Sequence, residues 1–301
     1  MAETKTIAQL MHEDAAVLNL LPDNMEEVTQ KDAEYHAGVR EQWVELNQIR
    51  TERNQKFHND VIAELATDLS NDAVILELGS GVGYDAGRFL ERNIPFGCYV
   101  VSEISPRLLE YSRQLLASLS AGRQVLYCAL DANQLLIADD QIDCIVTIAA
   151  LHHFPNLGKA LAEMDRVTKA RAKLIFAMEP NRLWSSILVA LRPYYRRLFS
   201  SKLHSAADEE AEGFTLKDLR KMGEQFQWKV QRLTPVWFFT GLLHNGLDFI
   251  GRLLRLKQHI VVPVAVEKIF LFADSVFFKI PCCDRLAWHY TVVFRKTTPL
   301  G

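Results

Sequence analysis

Three glycines alternate through a short turn two residues after a carboxylate, and these are the residues of this 301-residue chain best suited to chemistry. The stretch reads Val74-Ile75-Leu76-Glu77-Leu78-Gly79-Ser80-Gly81-Val82-Gly83-Tyr84-Asp85. Glycine admits positive φ and puts no Cβ between backbone and ligand, so such a turn lets the main chain lie directly against a bound molecule. Glu77 sets the sign of that molecule, because a carboxylate favours cationic groups and repels phosphate. Farther on, Glu103 ends the run Val100-Val101-Ser102-Glu103-Ile104-Ser105-Pro106. A carboxylate about 20 residues beyond a glycine turn can accept hydrogen bonds from both hydroxyls of a ribose. Then comes Leu151-His152-His153-Phe154. Either imidazole could act as general base toward a hydroxyl or amine, or one could pack against a ligand while the other fixes its loop. Tyr35-His36 is a further candidate pair if the N-terminal segment folds over the site, and Glu179 in Met178-Glu179-Pro180-Asn181 is another on the substrate side.

Two ligand classes fit the turn. A dinucleotide site needs G-x-G-x-x-G/A after its first strand. That pattern fails from Gly79, where the sixth position is Tyr84, and passes from Gly81 through Gly83 and Ala86. Glu77 would then stand beside a pyrophosphate. The same segment resembles motif I of the class I S-adenosylmethionine-dependent methyltransferases, in which an acidic residue precedes G-x-G-x-G. That cofactor carries a sulfonium and an α-ammonium, both attracted to a carboxylate.

Further positions follow in that family's order. Asp131-Ala132 is similar to its Asp-Ala pair, whose carboxylate takes the adenine amino group. Asp139-Asp140-Gln141-Ile142-Asp143-Cys144 looks like the lead into its fourth strand, with Ile142 in place of the usual phenylalanine. Leu151-His152-His153-Phe154 resembles the signature beside its methyl-transfer site, and Glu163-x-x-Arg166-Val167 the helix before its fifth strand. Lys169-Ala170-Arg171-Ala172 departs from the usual Lys-Pro-Gly-Gly turn. The likeness covers residues 73–178 well and 214–234 and 287–295 more loosely. It implies an α/β, Rossmann-like, doubly wound sheet of seven strands with the last antiparallel. It also implies S-adenosylmethionine as cofactor, bound by Glu77, Gly79, Ser80, Gly81 and Gly83, by Glu103 and Ile104, and by Asp131 and Ala132.

The elements that would position these residues can be read from the pattern. Apolar runs at Val74–Leu78, Cys98–Glu103, Val125–Leu130, Cys144–Ala149 and Lys173–Met178 alternate with helical periods at Ala86–Arg92, Pro106–Ser118 and Leu157–Thr168, as in a parallel sheet covered on both faces. Ser105-Pro106 is a helix start, the serine capping and the proline in the first turn. Residues 1–58 read as a helical arm or lid, with Tyr35, Val39, Trp43, Leu46 and Ile49 on a helical period, and Val61–Leu69 as a further helix. Residues 59–301 form the second unit, with helical elaborations at 182–213 and 236–286. A helix starts after Thr215, and strands follow at Trp228–Leu233 and Ala287–Arg295.

Composition narrows the function. A formal charge of −3 and a pI near 6.3 offer no general attraction to nucleic acid. The five cysteines show no C-x-x-C spacing and no histidine at zinc-ligand distance, so no metal site and a reducing, cytoplasmic setting are expected. The first residues lack a basic segment leading into an apolar core, so no signal peptide is expected. The segment 236–281 is apolar, interrupted by Arg252, Arg255 and Lys257, and too broken to span a membrane. It can pack on the sheet, cap an apolar acceptor pocket, or lie on an anionic membrane surface. The expectation is a methyltransferase of a small-molecule acceptor, hydrophobic or linked to lipid or glycan. A nicotinamide-dependent oxidoreductase and a catalytically silent subunit bound to a partner are the rival readings; the oligomeric state is open.

Overall fold

In the computed structural model, residues 4–25, 27, 30, 34, 67–199, 213–256 and 260–297 are described, with the backbone alone at 192–199 and 252. Eight strands form one sheet: β1 (Leu18–Leu20), β2 (Val74–Leu78), β3 (Cys98–Glu103), β4 (Val125–Leu130), β5 (Ile142–Ile148), β6 (Thr168–Pro180), β7 (Trp228–Val236) and β8 (His289–Lys296). Their order is β1-β4-β3-β2-β5-β6-β8-β7, and β8 runs antiparallel to both neighbours while the other pairings are parallel. Chain order reverses between β2 and β5, so the carboxyl ends of β2, β3, β4 and β5 surround a topological switch point, where open α/β sheets bind ligands.

Seven strands match the sequence expectation, and β1 is additional. It comes from the segment read as a helical arm, where Leu18, Asn19 and Leu20 pair with Cys128, Ala129 and Leu130 of β4. Among the described residues 4–20, only the short helix α1 (Ile7–Met11) is helical. Its Thr6–Gln9 capping box starts it, and Ile7 and Leu10 fasten it to the core. Tyr35 and His36, like most of the proposed arm, lie outside the described residues. Of the helix expected over Val61–Leu69, residues 61–66 lie outside the described residues and 67–69 are not helical.

Helices cover both faces. α2 (Tyr84–Glu91) and α3 (Pro106–Ser120) pack through Phe89, Leu90, Leu109 and Leu116 on one side. α1, α4 (Leu157–Val167) and α6 (Leu216–Gln225) pack through Leu10, Leu161, Met164 and Leu219 on the other. Pro106 opens α3 as expected, but the buried Ser105 makes no side-chain capping bond. Thr215 does cap α6, reciprocally with Asp218. Residues 169–172 are not a loop: they belong to a long β6, with Arg171 at φ 64° and a register shift opposite Ile142 and Cys144.

The elaborations grow from the carboxyl edge of the sheet. α5 (Arg182–Phe199) leaves β6, α7 (Phe239–Leu253) leaves β7, and α8 (Val264–Phe277) returns to β8. Asn181 fastens them together: its Nδ2 donates to the carbonyls of Arg285 and Ala287 at 2.9 and 2.6 Å, and its Oδ1 accepts from Leu183 N. Trp184 stacks on Trp288 with ring centroids 4.2 Å apart. Among the described residues no helix is long and apolar enough to cross a membrane.

Arg166 shows how the sequence-distinctive Glu163-x-x-Arg166 pair works. Its guanidinium donates to Glu163, to Asp139, and to the carbonyls of Leu135 and Ile137, tying α4 to the loop after β4. Arg166→Ala leaves those carbonyls without their donor, and should lower unfolding free energy by about 2 kcal/mol. Urea denaturation measures this, and an unchanged midpoint would show the network to be dispensable.

Candidate functional site

The glycine turn is shaped from both sides. Gly79, Gly81 and Gly83 all have positive φ, at 74°, 55° and 77°. A Cβ on Gly79 would stand 2.7 Å from the Cβ of Ala150, and one on Gly83 would stand 2.9 Å from that of Ser112, so these two permit close packing of the turn against the β5 edge and α3. At Gly81 a Cβ would meet no protein atom within 4 Å. The middle glycine thus faces open space, and Ser80 beside it has a buried hydroxyl with no partner among the described residues. A backbone cradle with an unsatisfied hydroxyl is chemically suited to a polar ligand.

Glu103 holds this turn in place. Its Oε2 accepts from Gly81 N and its Oε1 from Ile104 N, both at 2.9 Å, while Ser80 N donates to the carbonyl of Ser102. A carboxylate has about four lone-pair sites, so both oxygens retain capacity for ligand hydroxyls. Asp131, 3% exposed, accepts from Asn133 N at 2.8 Å and so forms the turn after β4, with the half-buried Ala132 next to it.

Glu77 is 2% exposed, and its Oε2 accepts from the Tyr99 hydroxyl at 2.8 Å. Burial pushes its carboxyl up to about 8, with the charge of Asp85 adding to the rise, the Tyr99 bond opposing it and Glu103 adding a little more. Asp85 and Tyr99 did not stand out in the sequence. Asp85 could have, since it opens the helix after the turn, where backbone amides favour an acid; Tyr99 sits inside an apolar run and carries no such signal. With Glu77 ionised, three carboxylates around one turn oppose a pyrophosphate and favour a cation.

The two histidines lie across the turn from Glu103, in a 3-10 segment Leu151–His153. Glu179 governs them. Fully buried, it accepts from the amides of Ala150, Leu151 and His152 at 3.3, 3.0 and 3.2 Å, and lies 2.9 Å from His152 Nδ1. That fixes Nδ1 as the protonated nitrogen in the neutral ring and leaves Nε2 as the acceptor. His153 packs against His152 in a tilted arrangement, 4.1 Å between centroids. A β-bulge aims Glu179: Ala177 and Met178 both join the core on the α2 and α3 side, Met178 having φ 57°, so Glu179 emerges on the opposite face. Glu179 is therefore a loop anchor as well as a candidate on the substrate side.

The raised Glu77 carboxyl has a consequence for stability. The folded protein keeps a proton that the unfolded chain releases near 4.5, so stability should fall as pH rises from about 4.5 to about 8 and level off above. Glu77→Gln should flatten that part of the profile. Thermal unfolding across the range checks this, and a slope unchanged in Glu77→Gln would contradict it.

Comparison with known proteins agrees with this geometry. Residues 76–176 match the family model described as a methyltransferase domain. The chain is 28% identical over 102 residues to the ubiquinone/menaquinone biosynthesis C-methyltransferase UbiE of Blochmanniella pennsylvanica, covering 34% of this chain and 40% of that one. It is 30% identical over 101 residues to the UbiE protein of Haemophilus ducreyi, covering 34% and 39%. The chain thus spans about two fifths of the length of the curated relatives it matches. Among solved structures, a Galdieria sulphuraria chain provisionally named a sarcosine dimethylglycine methyltransferase superposes with a TM-score of 0.53 at 19% identity, over 81% of this chain and 86% of that one. Phosphoethanolamine N-methyltransferase 2 of Haemonchus contortus, solved with S-adenosyl-L-methionine, gives 0.51 at 12% identity, over 80% and 52%. The matched region contains the glycine turn, its three carboxylates and the histidine pair, and over residues 76–176 the chain resembles the class I S-adenosylmethionine-dependent methyltransferases.

Proposed function

We propose that the protein transfers a methyl group from S-adenosylmethionine to an apolar small-molecule acceptor, with His152 as general base. The observation that carries this reading is the Gly79–Gly83 turn, open at Gly81 and ringed by Glu77, Asp85 and Glu103. The cofactor, when bound, supplies an electrophilic methyl on a sulfonium. Glu77, Gly79, Ser80, Gly81 and Gly83 hold its methionine portion, Glu103 and Ile104 its ribose, and Asp131 and Ala132 its adenine. A cation near Glu77 lowers the cost of ionising that carboxyl, so binding near neutral pH releases a proton.

His152 Nε2 takes the proton of the acceptor while Glu179 Oε2 holds Nδ1–H and steadies the imidazolium. Burial of Glu179 excludes water from this pair, and alignment of acceptor with donor supplies most of the remaining acceleration. The acceptor side belongs to this chain's own helices, which lie beyond the matched region 76–176. α5, α7 and α8 border the carboxyl edge and expose Leu188, Leu191, Leu253 and Phe272, among others, which suits a hydrophobic acceptor. The quinone-pathway names of the matched relatives accord with that class without specifying it.

Methyl-labelled S-adenosylmethionine incubated with the protein and a lipid and metabolite extract should place label in an organic-soluble product. A protein that binds the donor and labels no fraction is the silent subunit instead. With the acceptor in hand, His152→Ala should lower kcat by a factor of about 10²–10⁴ and leave donor affinity within threefold, roughly the spread of ordinary surface substitutions. An unchanged kcat would remove the general base from the account.

A further inference from the structure

Helix α8 is inverted with respect to its surroundings. Its buried residues are two carboxylates, Glu267 and Asp274, at 5% and 4% exposure. Asp274 accepts from the amides of Phe238, Phe239 and Thr240 at 3.1, 2.7 and 3.3 Å and so caps the start of α7, while Glu267 lies 3.2 Å from His244 Nε2 of α7. The opposite face of the helix carries Ile269, Phe272 and Val276 at helical spacing, and Ile269 and Phe272 are 65% and 70% exposed. A helix that turns its acids inward and its large apolar side chains outward is built for an apolar medium. Its neighbours continue the surface through Leu253 of α7 and Leu188 of α5. So extended an apolar patch on one edge marks an interaction site.

The charges on the patch specify what covers it. The segment 236–286 contains four acids; Glu267 and Asp274 face inward, and Asp248 and Asp284 are half-buried. Arg255, Lys268, Lys279 and Arg285 are exposed. Lys268 stands four residues before Phe272 and so borders the apolar row, and Lys279 is exposed in the turn just after α8 ends. Helix α5 (Arg182–Phe199) contains no acid. Protein interfaces deplete lysine from their centres, and a second copy docked by two-fold symmetry would set these cations against their own counterparts. Apolar side chains bordered by lysines instead match a bilayer surface, where the chains enter the acyl boundary and the ammonium groups reach anionic headgroups.

We propose that α5, α7 and α8 form a docking surface for an anionic phospholipid membrane, placing the carboxyl edge of the sheet at the lipid boundary. The proposal rests on the reading of this site as one for an apolar acceptor, which would then enter laterally from the membrane.

The full-length protein is cosedimented with vesicles of phosphatidylcholine mixed with phosphatidylglycerol, and with phosphatidylcholine alone. The mixed vesicles should retain it at low ionic strength, progressively less with added salt, and the neutral ones should retain much less. Phe272→Glu should lower the partition coefficient about tenfold, and Lys268→Gln and Lys279→Gln about fivefold each. S-adenosylhomocysteine affinity, measured in parallel, should be the same in all variants, which also shows that they fold. No retention at low ionic strength, equal retention by neutral vesicles, or a soluble dimer that Phe272→Glu splits would each overturn the docking surface while donor binding persists. Loss of donor binding in the wild type would instead overturn the methyltransferase reading, whatever the vesicles do.

Discussion

A carboxylate taken out of water is destabilising unless donors meet it, and this structure places such groups at three strand ends. Glu103 at the end of β3 receives the amides of Gly81 and Ile104. Glu179 near the end of β6 receives three amides and an imidazole. Glu77 in β2 receives one phenol hydroxyl and, among the described residues, no amide, and burial together with the charge of Asp85 pushes its carboxyl up to about 8. The first two have their donors inside the protein and serve as anchors for loops. The third has one such donor among the described residues, which suits the cationic ligand proposed for it. The rest of the site depends on this difference between filled and unfilled carboxylates.

The same logic gives the two halves of the site distinct characters. Around the glycine turn the backbone forms the exposed surface, and side-chain bulk is excluded by the approach of Ala150 and Ser112. Around His152 the side chains do it, and the backbone is bent to serve them: Ala149 and Met178 both adopt positive φ where β5 and β6 end. Strain of this kind persists where surrounding contacts over-determine it, and it clusters at functional sites. Here it turns Glu179 toward the loop that carries the histidines.

Much of this was legible in the sequence, because the glycine turn and the strand ends around it use local signals. The apolar runs, the turn glycines and the acids at strand ends each sit within a few residues of one another. What was not legible depended on distant partners. The edge strand Leu18–Leu20 is too short to show alternation and is defined by pairing with Cys128–Leu130, far along the chain. The bulge at Met178 leaves no mark on an apolar run. Residues 169–172 lack the glycines of a turn, and the structure extends them into β6. Ser105 looked like a capping residue, and the position was right while the bond was absent. The inversion of α8 was concealed most completely, since Glu267 and Asp274 among apolar residues suggest a solvent face until Asp274 is seen on the amides of α7.

The central claim is that the turn at Gly79–Gly83 selects a cationic nucleoside cofactor through its surrounding carboxylates. Calorimetric titration of ligand-free protein with S-adenosylmethionine and with NADH tests it most directly, if repeated near neutral pH in buffers of different ionisation enthalpy. The account predicts saturable binding of S-adenosylmethionine with net proton release from Glu77, and no binding of NADH. Saturable binding of NADH alone, or S-adenosylmethionine binding without proton release, would contradict it.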